Sequence, residues 1–383
     1  MQRIAPAEPP FPPEIASLIE RITPPGLPPF VLFTTAARDP RLFKRWVGGN
    51  FLGRGNLTVR QREVIVLRVT GQCGSEYEWG IHVSFFRDPL GLTEAELRST
   101  VSGRAEDTCW TAEDAALIRM CDQLNASCNL DERLWNELKT FLTDEAILEA
   151  LIIAGIYRTG SCVINALRLP LEAFGARFPA AAAPGGKTAW SRAAAQYRRE
   201  GPQRIASVRP PYEPELATLI QRIIPPGVAP FALFTVLARD MRLFRRWTGA
   251  SYLGRGNLTV RQREIVIDRV TGICGSEYEW GLHVSFFREA AGFTGAELAS
   301  LVHGGPDDPC WNAEEAGLIR LCDQLNATCD VDQPLWDQLK TFLTDMAILE
   351  AMIVGGSYRT VAYMTNALRL PLETFGTRFP PVS

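Results

Sequence analysis

The feature that most constrains the fold is an internal repeat that occupies most of the chain. A shift of 201 residues aligns Pro10–Pro179 with Pro211–Pro380 without a gap, and 112 of the 170 aligned residues are identical. The match also includes the start of the chain, where Gln2–Ala5 corresponds to Gln203–Ala206. A period of this length is too long for a solenoid, whose repeats span roughly 20–50 residues. The sequence therefore predicts a tandem duplication of one domain-sized unit.

The repeat sets the expected domain boundaries. We place the first copy at residues 1–179, a linker at 180–201 and the second copy at 202–383. Ala180–Gly186 is rich in alanine, proline and glycine, as flexible linkers often are. Trp190–Arg199 carries several basic residues and predicts a short basic helix that docks on a domain. Each copy is long enough to bury a core of its own.

Hydrophobic residues recur at helical spacing within each copy, and strand signals are few. Asp39 and Pro40 are typical of a helix start, as N-cap and first helical residue. Gly71 is typical of a helix end. The pattern in the first copy predicts these helices: Glu14–Ile22, Arg38–Gly48, Thr58–Thr70, Ser75–Arg87, Thr111–Leu124, Leu134–Leu142 and Asp144–Leu167. We therefore expect an all-α protein built from two similar helical domains.

Composition argues against nucleic-acid and membrane partners. The net charge is −3, so the chain lacks the basic surplus with which proteins neutralise phosphates. The longest apolar run, near Leu151–Ile156, is much shorter than the ~20 residues that cross a bilayer. The first residues contain no apolar segment of the kind found in signal peptides. We therefore expect a soluble, cytoplasmic protein whose nine cysteines are buried free thiols.

Two of the three histidines lie at equivalent positions beside the same carboxylates. Ser75, Glu78 and His82 are spaced i, i+3 and i+7, so they share one face of a predicted helix. Glu63 lies on the preceding helix and faces that stripe if the two helices form a hairpin around Gly71–Gly74. Burial can raise a glutamate pKa and histidine titrates near neutrality, so these groups can exchange protons with a substrate. The predicted catalytic residues are Glu63, Glu78, His82, Glu264, Glu279 and His283.

Purely structural roles for the same residues are open at this stage. Ser75 and Glu78 have the spacing of a capping box. Glu78 and His82 are one helical turn apart and can form a modest surface pair. Glu63 can pair with Arg60 or Arg62 on a solvated face. Two carboxylates and one imidazole also form a plausible ligand set for iron or zinc. Typical sites use more histidines than this motif offers, so no metal is expected.

The same residues resemble the carboxymuconolactone decarboxylase / AhpD-like superfamily. The segments that carry the resemblance are Leu57–Glu63, Ser75–Trp79 with His82, Tyr157–Thr159 and Asn165–Glu172. The resemblance covers roughly residues 45–175 and 246–376. It implies all-helical domains that assemble into trimers or hexamers through dimer-like contacts. A homo-oligomer is therefore expected, in which the tandem chain resembles a fused dimer.

The chain departs from the alkylhydroperoxidase-type members of this superfamily at their redox centre. Those members use a glutamate, a histidine and a C-x-x-C pair. The two cysteine positions hold Ser75 and Glu78 in the first copy, and Ser276 and Glu279 in the second. Neither position can form the disulfide that the peroxidase cycle requires. The decarboxylase-type members work by acid–base chemistry without a dithiol, and the residues that are present fit that chemistry.

Residues beside the acid–base set are expected to bind the substrate. Tyrosine hydroxyls can donate hydrogen bonds to a developing oxyanion, and tryptophan rings can form apolar walls. The predicted substrate-binding residues are Ser75, Tyr77, Trp79 and Tyr157 in the first copy, and Ser276, Tyr278, Trp280 and Tyr358 in the second.

The sequence thus predicts a cofactor-independent lyase or isomerase in secondary or aromatic metabolism. It would decarboxylate, dehydrate or cyclise a small carbonyl or enolisable substrate. In each copy, the histidine and the glutamate of the preceding helix would be the acid–base pair. Two alternatives are a thiol-dependent peroxidase that uses Cys73 and Cys274, and a binding scaffold with no cavity beside the histidines.

Overall fold

The protein, described here by a computed structural model, is helical throughout the part of the chain that the structure describes. The described residues are 1–48, 53–180, 201–225, 227–249 and 252–382. Every regular element in these ranges is a helix, which confirms the all-α fold class. The predicted basic helix Trp190–Arg199 lies outside the described residues. Below, residues 1–180 are the first half and residues 201–382 are the second half.

The described residues of the first half form nine helices. They are α1 (Pro13–Ile22), α2 (Val31–Ala36), α3 (Pro40–Gly48), α4 (Val59–Gln72), α5 (Glu76–Leu90), α6 (Glu94–Ser102), α7 (Ala112–Ser127), α8 (Glu132–Leu138) and α9 (Asp144–Leu167). Each predicted helix overlaps one of these, and α9 has the predicted bounds. The sequence prediction did not include α2 and α6.

The second half repeats this order of helices, and each helix begins 201 residues after its counterpart. The helices are α10 (Pro214–Ile223), α11 (Ala232–Leu237), α12 (Met241–Gly249), α13 (Val260–Ile273), α14 (Glu277–Ala291), α15 (Gly295–Val302), α16 (Ala313–Thr328), α17 (Gln333–Lys340) and α18 (Asp345–Ala367). The repeat in the sequence is therefore also a repeat of helix order, and equivalent helices differ in length by at most one residue.

Helices α4 and α5 form the hairpin that carries the predicted chemistry. Thr58 caps α4 through reciprocal hydrogen bonds with Gln61, as in a capping box. Gly74, with a φ of 65°, turns the chain toward α5. All residues from Arg62 to Gly71 are buried, because α5, α6, α7 and α9 pack around α4. The hairpin therefore places Glu63 in the protein interior.

The capping-box alternative for Ser75 and Glu78 is wrong. Ser75 precedes α5, but its side chain makes no capping hydrogen bond. Its φ and ψ of −89° and 78° differ from the extended backbone of a capping residue such as Thr58. Its buried hydroxyl has no hydrogen-bond partner among the described residues. Glu78 therefore does not serve as the second residue of a cap.

Helix α9 packs against α18 at the centre of the molecule. Small residues lie where the helices cross. A Cβ at Gly155 would lie 2.3 Å from Thr360 Oγ1, and a Cβ at Gly356 would lie 2.4 Å from Thr159 Oγ1. Helix α9 is long and apolar enough to cross a membrane, but 89% of its apolar stretch is buried inside the protein. Its environment is that of a core helix.

Side chains near the start of each half reach into the other half. Arg3 donates to the carbonyl oxygen of Val331 at 2.8 Å, and Arg204 donates to that of Leu130 at 2.9 Å. The largest cluster of buried hydrophobic residues contains side chains from both halves. The halves are thus joined by a continuous core, and their division into two domains stays a prediction.

Candidate active site

A buried pair of side chains links α4 to α5. His82 Nδ1 lies 2.6 Å from Glu63 Oε2, and the equivalent distance between His283 and Glu264 is 2.7 Å. Both glutamates are completely buried. The other oxygen of Glu63 accepts a hydrogen bond from Arg62 Nε at 2.8 Å. The Arg62–Glu63 pair is therefore present, but in the interior and not on a solvated face.

A second carboxylate faces the other side of each imidazole. His82 Nε2 lies 3.6 Å from Glu78 Oε1, and the distance between His283 and Glu279 is the same. This separation is too long for a direct hydrogen bond. Nε2 is therefore the ring nitrogen that can hydrogen-bond to a substrate.

Aromatic rings surround each imidazole. The ring centroid of Tyr157 lies 5.0 Å from that of His82, edge to face, and Tyr358 lies 4.8 Å from His283 in the same way. Phe86 stacks on the His82 ring at 5.7 Å. These contacts fix the orientation of the imidazole and exclude water from its faces.

Neighbouring carboxylates keep both histidines protonated at neutral pH. Burial lowers the pKa of a histidine. In His82 this effect is outweighed by Glu63, through its charge and hydrogen bond, and by Glu78, so that the pKa rises to about 9. The equivalent carboxylates of the second half raise the pKa of His283 to about 10. The pKa of Glu63 is lowered by the same interaction, although burial opposes it. Each pair is therefore an imidazolium–carboxylate pair whose histidine can donate a proton.

A cavity of about 550 Å³ opens beside the histidine of the second half. Its volume fits a small organic molecule. Glu279, His283 and Tyr358 line it together with four phenylalanine rings. Glu264 is not among the lining residues and lies behind the imidazole. A ligand in this cavity can touch Glu279 and His283, whereas Glu264 acts through the histidine.

The first half supplies part of the wall of this cavity. Arg45 and Trp46 of α3 line it, as do Ile156 and Thr159 of α9. The Arg45 guanidinium lies over the ring of Tyr252, 5.7 Å from its centroid. Its buried Nη1 has no hydrogen-bond partner among the described residues. The cavity therefore contains a cationic group from the opposite half that can bind an anionic part of a ligand.

Comparison with known protein families identifies the region that holds the first of these sites. Residues 40–119 match the model of the carboxymuconolactone decarboxylase family. This region is similar to that family. It runs from the start of α3 into α7 and includes Glu63, Glu78 and His82. The resemblance predicted from the sequence is confirmed for this region. No curated protein matches the chain.

Two tyrosines predicted to bind substrate have structural contacts instead. The Tyr77 hydroxyl donates to Glu172 at 2.5 Å and accepts a hydrogen bond from the Leu32 backbone N–H at 3.1 Å. Tyr278 donates to Glu373 at 2.7 Å. These bonds tie α5 and α14 to the segments that follow α9 and α18. Because the hydroxyls are already engaged, the geometry does not support them as oxyanion donors.

The predicted tryptophans and serines also lie away from the cavity. Trp79 and Trp280 are core side chains, exposed by 1% and 0%. Ser276 shares a buried hydrogen bond with Thr365 at 2.8 Å. Among the second-half residues predicted to bind substrate, Tyr358 is the one that lines the cavity described above. Tyr358 lines the cavity because its side chain projects from α18 toward the His283 imidazole and not into the α13–α14 hairpin.

Arg45 and Trp46 were not among the site residues predicted from the sequence. A signal was present, because the Arg-Trp pair recurs in the second copy as Arg246 and Trp247. Repetition shows that a position is shared by both copies, but it does not show which half the side chain contacts. That depends on how the two halves dock.

The two sites differ in one buried carboxyl group. Asp268 of α13 occupies the position that holds Leu67 in α4. It is 1% exposed, and its Oδ1 has no hydrogen-bond partner among the described residues. Burial raises the pKa of Asp268 well above its ordinary range, and the charge of His283 offsets only part of this. Burial therefore favours the protonated, neutral form of Asp268.

Replacing Asp268 by leucine, the residue at the equivalent position of the first half, is expected to stabilise the protein. The variant removes a buried polar group whose desolvation costs about 1–3 kcal/mol. Urea unfolding of the variant and the wild type measures the difference. The reciprocal Leu67→Asp variant is the matched control and should be less stable than the wild type. A less stable Asp268→Leu variant would show that the carboxyl group makes a favourable interaction.

Proposed function

We propose that the protein is a cofactor-independent acid–base enzyme of the lyase or isomerase class. Its substrate would be a small carbonyl or enolisable compound that is decarboxylated, dehydrated or cyclised. The observation that carries the proposal is the His283 imidazole, which is held by the buried Glu264 and faces Glu279 at the wall of a cavity. The family match of residues 40–119 supports an enzyme of the decarboxylase kind.

His283 and Glu279 have opposite roles in the proposed reaction. The imidazolium of His283 donates a proton to the carbonyl oxygen or to the enolate carbon, and the Glu279 carboxylate removes the proton next to the carbonyl. Glu279 Oε2 has no hydrogen-bond partner among the described residues, so it can accept that proton. Glu264 contacts the imidazole and not the cavity. It is therefore a positioning residue, which fixes the ring and stabilises its positive charge.

The remaining cavity wall fits a substrate with an apolar body and one anionic group. Phe286 and Phe287 supply aromatic surface, and Arg45 supplies a positive charge. A cation in a poorly hydrated cavity stabilises the negative charge that develops on an enolate more strongly than water does. This arrangement supports acid–base chemistry next to a carbonyl.

We further propose that the chain is a tandem duplication that works as a fused dimer, with each site completed by the opposite half. Two equivalent ion pairs support this proposal. Arg41 of α3 pairs with Glu350 of α18, and Arg242 of α12 pairs with Glu149 of α9. Each pair holds the helix that carries a cavity-lining arginine and tryptophan against the core helix of the other half.

The cavity favours an enzyme over a binding scaffold, because the scaffold alternative expected no cavity beside the histidines. The peroxidase alternative relied on Cys73 and Cys274. Both are buried, and neither is among the residues that line the cavity described above. Thiol chemistry at the proposed site therefore has no support in the geometry.

Proton exchange in D₂O tests the proposal without knowledge of the natural substrate. The full chain is incubated with a panel of β-keto acids, enolisable lactones and hydroxy ketones. NMR detects deuterium incorporated next to the carbonyl, and mass spectrometry detects loss of carbon dioxide or water. We expect enzyme-dependent exchange in at least one class. If no compound exchanges or reacts faster than in buffer, the proposal for enolisable substrates is contradicted.

A further inference from the structure

Contacts between the two halves come in equivalent pairs. Asn56 Nδ2 donates to Asp240 Oδ2 at 2.6 Å, and the equivalent pair, Asn257 and Asp39, has the same distance. Contacts that exchange places under the 201-residue shift are those of a two-fold arrangement. A helix that contacts its own equivalent then lies at the two-fold axis. Helix α9 contacts α18 in this way, and α3 contacts α12.

The cavity beside His283 extends to this axis. Its lining includes four pairs of residues that are equivalent in the repeat, with one member of each pair from each half. The pairs are Arg45 with Arg246, Trp46 with Trp247, Ile156 with Ser357, and Thr159 with Thr360. Thr159 and Thr360 also lie where α9 and α18 cross, each against a glycine of the opposite helix. Below, these eight residues are called the shared wall.

The shared wall also belongs to the first-half site. Under the two-fold arrangement, a ligand beside His82 would meet the equivalents of the residues that line the cavity beside His283. Each pair of the shared wall maps onto itself, so the same eight residues would contact that ligand. Ile156 is the chain neighbour of Tyr157, whose ring packs on His82. The two imidazoles therefore lie on opposite sides of one wall.

Two guanidinium groups give the shared wall a positive charge. Burial lowers the pKa of Arg45 and of Arg246 below the ordinary value, and the nearby cations Arg41 and Arg242 lower these pKa values further. Arg45 Nη1 is buried and has no hydrogen-bond partner among the described residues. A carboxylate would balance this charge and can accept two hydrogen bonds from one guanidinium. The shared wall is thus suited to one anionic group.

The shared wall also offers aromatic surface that a ligand can reach from solvent. Trp46 of α3 and Trp247 of α12 both line the cavity. Phe286 lines it as well and is 41% exposed, so the cavity extends to the protein surface there. A planar apolar ring can pack against the indoles while its anionic group contacts the guanidiniums.

We propose that Arg45 and Arg246 form one anion-binding subsite that both histidine sites share, so that the chain binds one aromatic carboxylate at a time. The carboxylate of the ligand lies between the halves, and the rest of the ligand extends toward one imidazole. A second ligand would need the same arginines, and its negative charge would be repelled by that of the first. The proposal takes the location of the site from the proposed function, but it concerns binding and not the reaction.

Isothermal titration calorimetry of the full chain with phenylpyruvate tests the stoichiometry. Phenylpyruvate combines an aromatic ring with a carboxylate, and 1-phenylpropan-2-one has a methyl group in place of that carboxylate. We expect one phenylpyruvate per chain at saturation, and binding of the ketone that is weaker by roughly 10-fold or more. Two phenylpyruvates per chain, no binding of phenylpyruvate, or equal binding of the ketone would overturn the proposal.

Single arginine variants distinguish a shared subsite from two independent ones. Arg45→Gln and Arg246→Gln should each weaken the one binding event by about 10–100-fold. Arg119→Gln with Arg320→Gln is the matched control, because these equivalent arginines pair with carboxylates elsewhere and do not line the cavity described above. The control should keep the wild-type affinity. Unchanged affinity in either cavity variant, or an equal loss in the control, would contradict the shared subsite.

The variant with His82→Gln and His283→Gln separates this proposal from the proposed function. Both arginines are intact in the variant, so it should still bind one phenylpyruvate per chain when its turnover is lost. Enzyme-dependent proton exchange without one-to-one binding would support the acid–base enzyme and reject the shared subsite. One-to-one binding without proton exchange would support the subsite and reject the enzyme.

Discussion

Replacing His82 and His283 together by glutamine is expected to reduce proton exchange on a reactive panel compound by about 10²–10⁴-fold, the usual contribution of a positioned acid or base. Glutamine keeps hydrogen-bonding capacity but cannot carry the proton that Glu63 and Glu264 stabilise on the imidazoles. Initial rates by NMR in D₂O measure the effect. Circular dichroism and urea unfolding establish that the variant is folded.

The third histidine gives the control for this experiment. His303 follows α15. Its Nε2 lies 2.7 Å from the Pro380 carbonyl oxygen, and its described hydrogen bonds involve no residue of the site. His303→Gln should keep the wild-type rate. The single variants His82→Gln and His283→Gln then show how turnover is divided between the halves. Full activity in the folded double variant would exclude the proposed acid and leave the cavity as a binding site.

The pairing of Glu63 with His82 could be predicted from the sequence because it depends on local rules. Helical spacing put Glu78 and His82 on one face, and Gly71–Gly74 marked the turn between two helices. The same rules also suggested a capping box at Ser75, which is absent. Sequence spacing is necessary for a cap, but the backbone of Ser75 is not extended enough for its hydroxyl to reach the N–H groups of α5.

Helices α2 and α6 show two different reasons for a missed element. The start of α6 has a recognisable signal, because Thr93 and Glu96 form a capping box. Helix α2 is six residues long and includes β-branched side chains, which lower helix propensity. Its stability comes from packing, since Leu32 and Ala36 are buried. Local sequence rules do not contain that information.

The cavity itself could not be predicted, because its walls come from both halves. Tyr77 and Tyr157 look equally suitable in the sequence, yet the Tyr77 hydroxyl is bonded to Glu172, whereas the Tyr157 ring packs on the His82 imidazole. Arg45 reaches the site only through the docking of α3 against the opposite half. Residue spacing predicts neighbours along one helix or hairpin, but it does not predict contacts that docking creates.

The free energy of unfolding is expected to contain a histidine contribution that falls as pH rises from about 6.5 to about 10. In the folded protein the pKa values of His82 and His283 are about 9 and about 10, compared with an ordinary value of 6.5. The folded state therefore binds more protons than the unfolded state in this window, so this stabilisation decreases with pH. The histidine stabilisation is complete below about pH 6.5 and is lost above about pH 10. Each histidine contributes roughly 1.4 kcal/mol for every unit by which its pKa is raised in the folded state.

The buried thiol of Cys128, which follows α7, acts in the opposite direction over part of the same window. The pKa of Cys128 is lowered to about 6, so the folded state binds fewer protons there and this contribution increases with pH. The total curve alone would therefore not isolate the histidines. Urea unfolding from pH 6 to pH 10 should be compared between the wild type and the His82→Gln, His283→Gln variant, because the thiolate contribution cancels in the difference. A difference that falls steadily with pH supports the imidazolium–carboxylate pairs. A flat difference would mean that the histidines are neutral when folded, and the proposed proton donor would then have no proton to give.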